Sequence, residues 1–463
     1  MAFPFLSNAV RRIFDRSAAP VGRRSLDAAT GSRRGSGLGQ FGPINPEIGA
    51  AASITRSRAR YLAMNNPFIA NGVQNWCASL VGTGIRPAVR ATDAGTRELA
   101  AGSFETWADA ADHAGRTDFW GLQRDVSRHL VVDGEALILM RDEADGLRLQ
   151  LIPPELLDES KTATLGNGRE IVSGVEFDAQ GRRVAYHILP QKPSSIYADY
   201  APPVRVDAAD VLHVMQSAAA GQVRGLSWLA PAVLSASELD QLTDALLVSA
   251  KIAAMHAAFV TDATNMGGAA TAFPDADGLT DISLEPGVVR VLPGGTDIRF
   301  NSPEQLKDAP AFVRMNLLAL AAALGLPEHM LSGDLTNANY SSLRAGLLPF
   351  RARVEQCQYG VLAPQLLRPI WRRWIATEVL AGRLDLSPDL GAEWIMPRHA
   401  QVDPAKDMAA VKEALALGLM SRSQAINEMG WNADDLDREI AADRAREVEL
   451  GLSFGKGATD GQE

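Results

Sequence analysis

The sequence predicts an α+β fold in which a largely antiparallel sheet region is followed by unusually long helices. Three observations carry this. Apolar residues recur with a period of two between about residues 130 and 220; one helical stripe runs from Ser227 with no breaker between Pro231, in its first turn, and Gly267; and a Gly/Pro/Asp-rich stretch with hairpin character separates that helix from the next. At 463 residues, 46% hydrophobic and 22% charged, the chain has ordinary globular composition, and a prior of about 150 residues per domain suggests two to four domains. Its two thiols, Cys77 and Cys357, lie in apolar segments and read as buried and reduced, which argues against a disulfide scaffold and fits an intracellular compartment.

Taken in order, the chain opens on residues 1–45, a Gly/Ser-rich tail with Arg11, Arg12, Arg16, Arg23, Arg24, Arg33 and Arg34 against only Asp15 and Asp27, a local charge of +5 within a chain of net charge −10. The arginines interrupt Met1–Phe14, so a secretion signal is not expected. Ile54–Ala70 and Trp76–Val81 read as helices ending at the turn Gly82-Thr83-Gly84. Leu137–Leu139 and Leu147–Ile152 read as strands, Val175–Phe177 and Val184–Ile188 as a hairpin around Asp178–Gly181, and Asp210–Met215 as a further strand.

A helix of about 30 residues should follow, capped by Ser227, with Pro231 in its first turn and Leu239, Leu242, Leu246, Ala250, Ala253 and Ala257 along one stripe. Residues 260–301 form an insertion with one hairpin, Val288–Leu292 and Asp297–Phe300 about the turn Pro293–Thr296. Ser302-Pro303-Glu304-Gln305 has the form of a capping box and starts a helix that Gly325 and Pro327 end. Ser332–Ser342 is a polar loop. A second long helix from Ser342 contains Pro349, Pro364 and Pro369 and should be kinked. Glu393–Met396 is strand-like, and the remainder reads as short helices, with eleven acids against six bases between Asp403 and Glu449. The longest apolar runs, Leu317–Leu326 and Ala245–Val260, fall short of the roughly 20 residues that span a bilayer, so a soluble protein is expected.

Catalytic patterns are missing. There is no Gly-x-x-x-x-Gly-Lys-Ser/Thr loop, Gly82-Thr83-Gly84 lacks the third glycine of a dinucleotide fingerprint, and Gly225-Leu226-Ser227 lacks the closing glycine of a nucleophile elbow. The histidines are scattered singly, without His-x-x-x-His or Cys-x-x-Cys spacing to hold zinc. Asp434 and Asp435 suit a helix start better than a cation. The reading is a structural component, with no enzyme activity, cofactor or metal expected.

Specific strings extend this reading. Asn65–Pro67, Val81–Ile85, Asp133-Gly134-Glu135, Gly181-Arg182 before Tyr186–Ile188, Gly221–Gly225, Leu324–Pro327, Gly333-Asp334, Asn339–Ser342 with Arg344, Asp403–Lys406 and Gly418–Arg422, in this order, resemble the lambda-type bacteriophage portal proteins from about residue 56 to 450. The resemblance implies a portal-type subunit: an α/β wing over 46–225, stem helices over 226–258 and 302–325, a small β-containing clip over 259–301, a tunnel loop over 328–341, a kinked helix over 342–402 returning to the wing, and a helical crown over 403–450. The ends, 1–45 and 451–463, read as a basic flexible tail and a disordered tail.

It further implies a homo-oligomeric ring, usually a dodecamer, at one capsid vertex, through which double-stranded DNA is packaged and ejected. Partners would be the terminase large subunit, major capsid and scaffold proteins, and head-completion or connector proteins. The place of action would be the virion, with assembly in the host cytoplasm and no membrane involved. On this resemblance Asn337, Asn339 and Tyr340 become candidates for DNA-facing loop residues, and Asp240, Asp244 and Glu304 for channel-facing stem charge. Arg290, Pro293, Gly294 and Gly295 become candidates for partner contact in the clip hairpin. The stem acids could equally form a solvated outer face, and Asn337 and Asn339 could supply turn geometry. The N-terminal arginines match no pattern of the family and suit either contact with DNA, capsid or scaffold, or a disordered arm. Another head–tail connector or virion ring component is the alternative assignment, and a hydrolase would need the nucleophile or carboxylate cluster that the sequence lacks.

Overall fold

Helix α1 (Ile44–Asn65) turns directly into α2 (Pro67–Val81) at Asn66, instead of running on to Ala70. A proline disfavours helical geometry in the residue before it, so Asn66 is extended (φ −90°, ψ 118°), and its side chain accepts a hydrogen bond from Ile69 N at 2.9 Å as the N-cap of α2. The computed structural model describes residues 41–190, 201–254, 258–262, 296–300, 309–336, 339–398 and 403–452. Strand β1 (Arg86–Val89) and helices α3 (Ala94–Ala108) and α4 (Phe119–Val132) complete the first helical layer.

Two antiparallel sheets follow. In the first, β2 (Glu135–Glu143) lies between β3 (Gly146–Ile152) and β9 (Val211–Met215), with Leu137 opposite both Ile152 and His213. The second has five strands in sequence order: β4 (Ala163–Gly166), β5 (Arg169–Val172), β6 (Val175–Phe177), β7 (Arg183–Ile188) and β8 (Val204–Asp207). Leu137, Ile152, Val175, Tyr186 and Val211 join in a core shared by both sheets. The larger core lies among the helices, where Phe104, Trp107, Phe119, Trp371 and Trp374 stack edge-to-face or tilted at ring distances of 5.0–6.3 Å.

The long helix that follows, α5 (Val233–Ala254), is shorter than its stripe implies and starts later. Ser227 caps only a turn, accepting from Leu229 N at 3.1 Å, and Pro231 lies in a short 3-10 segment, Ala230–Ala232. Beyond Ala254 the chain enters β10 (Ala258–Asp262), because the β-branched and aromatic run Phe259-Val260-Thr261 favours a strand. Its antiparallel partner is β11 (Thr296–Phe300). The expected partner Val288–Leu292, the turn Pro293–Gly295 and the capping box around Glu304 lie outside the described residues, as do the tail to residue 40 and residues 453–463.

Helix α6 (Ala309–Leu324) packs against α5, and the short α7 (Glu328–Ser332) follows. From Tyr340 the backbone stays helical to Leu380, but in three forms: α8 (Tyr340–Cys357), a ten-residue π-helical stretch (Gln358–Leu367), and α9 (Arg368–Leu380). Pro364 falls inside the wide stretch, where a missing amide and a bulky ring are accommodated by extra turn width. Strand β12 (Ala392–Ile395) returns to pair with β1, and α10 (Pro404–Ala416), α11 (Arg422–Glu428) and α12 (Ala433–Leu450) end the described chain. Cys77 and Cys357 are buried and unpaired, and burial pushes the Cys357 thiol up to about 12. Among the described residues, no helix is long and apolar enough to cross a membrane.

Candidate functional site: stem helices, loop roots and a buried ionic hub

Helix α2 fixes the end of α6 and the approach to the polar loop. Trp76 Nε1 donates to Leu324 O (3.0 Å), Asn71 Nδ2 to the carbonyls of Met330 and Leu331 (3.0 Å each), and Asn75 Nδ2 to Met330 O (2.6 Å). On the far side, Arg353 Nη1 donates to Gly325 O at 2.7 Å. The loop itself begins with Asp334, whose carboxylate takes hydrogen bonds from the Thr336 hydroxyl and amide (2.6 and 2.9 Å) and is thereby held below its ordinary range. Its other root is a capping box: Asn339 Oδ1 accepts from Ser342 N (2.8 Å), and Ser342 Oγ accepts from Asn339 N (3.0 Å).

The candidate residues are thus spread over several settings. Asn339 is exposed and caps α8; Tyr340 opens the same helix; Asn337 lies outside the described residues. Asp240 is half-buried, and its Oδ1 accepts a hydrogen bond from Asn66 Nδ2 at 2.7 Å, so its carboxylate serves the joint between α5 and the α1–α2 corner. Asp244, one turn on, is exposed. Glu304, Arg290, Pro293, Gly294 and Gly295 lie outside the described residues. On α6, Leu317, Leu320, Ala321 and Leu324 are buried, yet Phe312, Met315 and Leu318 are about half exposed, as are Leu247 and Val248 on α5.

The segment that leads toward α5 is held by a group of charges that the sequence reading did not bring together. Glu135, at the start of β2, is fully buried: Arg224 Nε approaches its two oxygens at 2.9 and 3.1 Å, Gly225 N donates at 2.7 Å, and His213 Nε2 lies at 2.9 Å. Burial pushes the Glu135 carboxyl up, but Arg224 and His213 more than reverse this and hold it well below the usual range. Burial conversely lowers His213, against the opposing pull of Glu135, and its other ring nitrogen, Nδ1, lies 3.4 Å from Arg183 Nη1. Arg56 of α1 bridges Glu135 (3.5 Å) to Glu159 (2.8 Å), so two carboxylates face two guanidiniums. One turn along α1, Arg60 grips both Asp133 (2.7 Å) and Glu155 (2.8 Å), and His129 Nδ1 meets Asp133 at 2.5 Å.

Two glycines let the chain close over this hub. Gly134 has φ +88°, and a Cβ there would lie 2.1 Å from Leu226 C; one on Gly225 would lie 2.3 Å from Gly134 O. The strings Asp133–Glu135 and Arg224-Gly225 are therefore two backbones pressed together around one ion pair. The available sequence signal was the four-residue spacing of Arg56 and Arg60 on one helix face. Nothing local named their acidic partners. Among the described residues no three His, Cys, Asp or Glu side chains gather as a metal site.

An α+β body thus continues into two packed helices with half-exposed apolar faces and a polar loop pinned at both roots. The chain belongs to the lambda family of phage portal proteins: that family's model matches residues 39–358. It is 24% identical over 337 residues to the probable portal protein of Halomonas phage phiHAP-1, a match covering 70% of this chain and 65% of that protein's length. Among solved structures, it is similar to a chain in the neck of an empty GTA particle (16% identity, TM-score 0.44, 91% of this chain and 98% of that one). It is also similar to an HK97 family phage portal protein from Corynebacterium diphtheriae (12% identity, TM-score 0.33, 77% and 98%). Likenesses this distant carry no functional inference.

Proposed function

We propose that this chain assembles into the portal ring at one capsid vertex, a channel for packaging and ejecting double-stranded DNA and a docking site for terminase and for head–tail connector proteins. The observation that carries the ring is α6. It is buried along Leu317, Leu320 and Leu324 yet leaves Phe312, Met315 and Leu318 half exposed, and a helix apolar on two sides calls for a second surface to cover it. Copies of the same subunit supply that surface in a closed ring. In this reading the wing is 46–225, the stem 226–258 and 302–325, the clip 259–301 and the crown 403–450. Asp244 and Glu304 contribute channel charge, Asn337, Asn339 and Tyr340 line the loop that meets DNA, and the clip hairpin with Arg290 and Pro293–Gly295 meets partner proteins. An acidic wall repels phosphates weakly, so DNA slides instead of being held by counterion release as on a basic surface. The role is structural, in the virion after assembly in the host cytoplasm.

The test is native mass spectrometry with negative-stain electron microscopy of the purified chain. Rings with a central channel, lost in Met315→Asp, support the proposal. A compact monomer or dimer at micromolar concentration across several salt conditions would overturn self-assembly.

A further inference from the structure

The chain holds two Asn-Gly pairs, Asn71-Gly72 and Asn167-Gly168, and the fold treats them in opposite ways. Glycine after asparagine is the pairing most open to an intramolecular reaction, because no Cβ shields the backbone nitrogen that follows the side-chain amide. Whether that reaction proceeds depends on how firmly the fold holds the two residues.

Asn71 lies within α2, where its Nδ2 donates to Met330 O and Leu331 O at 3.0 Å each. Gly72 is buried, a Cβ on it would stand 3.1 Å from Leu326 and Leu331, and its amide is one link of the helix ladder. Bringing that nitrogen against the Asn71 side chain would require α2 to open inside the core.

Asn167-Gly168 is the two-residue tip of the β4–β5 hairpin, with Gly166 opposite Arg169. Both tip residues have positive φ, +53° and +75°, as a type I′ turn requires, and asparagine tolerates this better than most residues that carry a Cβ. Both are exposed, and among the described residues the Asn167 side chain has no hydrogen-bond partner. Strand β4 is the outer strand of its sheet, exposed throughout, and its register with β5 is irregular between Thr164 and Gly166. Opening such an edge locally costs far less than opening a buried helix.

We infer that Asn167 is a site of spontaneous deamidation and isomerisation. The Gly168 nitrogen attacks Asn167 Cγ and forms a C–N bond; its proton leaves with the side-chain nitrogen as ammonia, and a succinimide ring closes. Water then opens the ring at either carbonyl, giving aspartate or, with the main chain rerouted through the side chain, isoaspartate. Each conversion adds one negative charge. Isoaspartate also adds a methylene to the backbone of a turn on whose length the register of β4 depends.

The test incubates the purified full chain in mildly alkaline buffer, folded and in urea, and follows the tryptic peptide Thr162–Arg169 and the peptide holding Asn71 by mass spectrometry. In the folded chain Asn167 should convert at least about tenfold faster than Asn71, with isoaspartate the larger product, and in urea the two should convert at similar rates. Similar rates in the folded chain, or an Asn167 amide that survives in the folded chain and is lost only in urea, would overturn the inference.

Discussion

Arg224 Nε lies 2.9 Å from Glu135 Oε1, across a sequence separation of 89 residues, with both side chains buried. Removing either charge alone leaves the other, in a low-dielectric site, with only its more distant ionic partner: Arg56 at 3.5 Å for Glu135, or Glu159 at 3.3 Å for Arg224. Arg224→Ala should therefore cost about 3–5 kcal/mol, whereas Arg224→Met combined with Glu135→Leu should recover much of it. Urea unfolding of the three proteins measures both. A loss below about 1 kcal/mol for the single variant would show that the hub is solvated in solution.

The backbone contact over that pair makes its own prediction. A methyl group at Gly134 would stand 2.1 Å from Leu226 C, so Gly134→Ala must move the segment that leads into α5. The expected cost is at least about 2 kcal/mol, read as a lowered unfolding midpoint. An unchanged midpoint would mean that the two backbones are not in contact.

Asn66 performs two tasks, capping α2 and holding Asp240. Asn66→Ser should retain the cap and lose only the bond to Asp240, whereas Asn66→Ala should lose both and be less stable by about another 1 kcal/mol. Equal melting temperatures for the two variants would remove the cap from the account.

Glu176 on β6 lies between Arg205 (2.8 Å) and Arg169, whose hydrogen bonds hold its carboxyl at about 2. A carboxyl lowered on folding adds stability that is fully present above its unfolded value, about 4.5, and is lost as pH falls toward 2. The stability difference between the native chain and Glu176→Gln should thus be constant from pH 7 to about 5 and shrink steadily from about 4.5 to 2. Thermal melts over that range measure it, and a gap that stays constant down to pH 2 would contradict the assignment.

Asn339 separates structure from DNA contact. Asn339→Ala should loosen the start of α8 by about 1 kcal/mol, while Asn339→Asp keeps an equally good cap and adds a negative charge. If Asn339 faces DNA, the Asp variant folds normally but packages poorly. Normal packaging by Asn339→Asp would confine Asn339 to its capping role.

Elements with strong local signals were legible in the sequence. The alternating Leu147–Ile152, the hairpin around Asp178–Gly181, the strand ending at Met215 and the stop at Gly325 all have local causes and appear in the structure. What was not legible depends on distant partners. Strands β4 and β5 are short and mostly exposed, with too little apolar alternation to mark them, and β1 is a strand only because β12, some 300 residues away, pairs with it. The hub escaped for the same reason: Arg56, Glu135, Glu159 and Arg224 are each ordinary in their own segments. Asp240 was singled out for its charge on a long helix, whereas its setting is decided by an asparagine at the far end of another.

The π-helical stretch acts as a phase adjuster in the rod from Tyr340 to Leu380. An α-helix turns about 100° per residue, so a wide segment lets the faces on its two sides be set independently: Phe350 and Val354 toward the helices near the loop, Trp371 and Trp374 toward the aromatic core. Deleting one residue between 358 and 367 would shorten the rod by a negligible length but rotate everything beyond it by about a quarter turn, pulling both tryptophans out of register. The spacing of this segment, more than its chemistry, is therefore what relatives sharing both ends of the rod would need to keep.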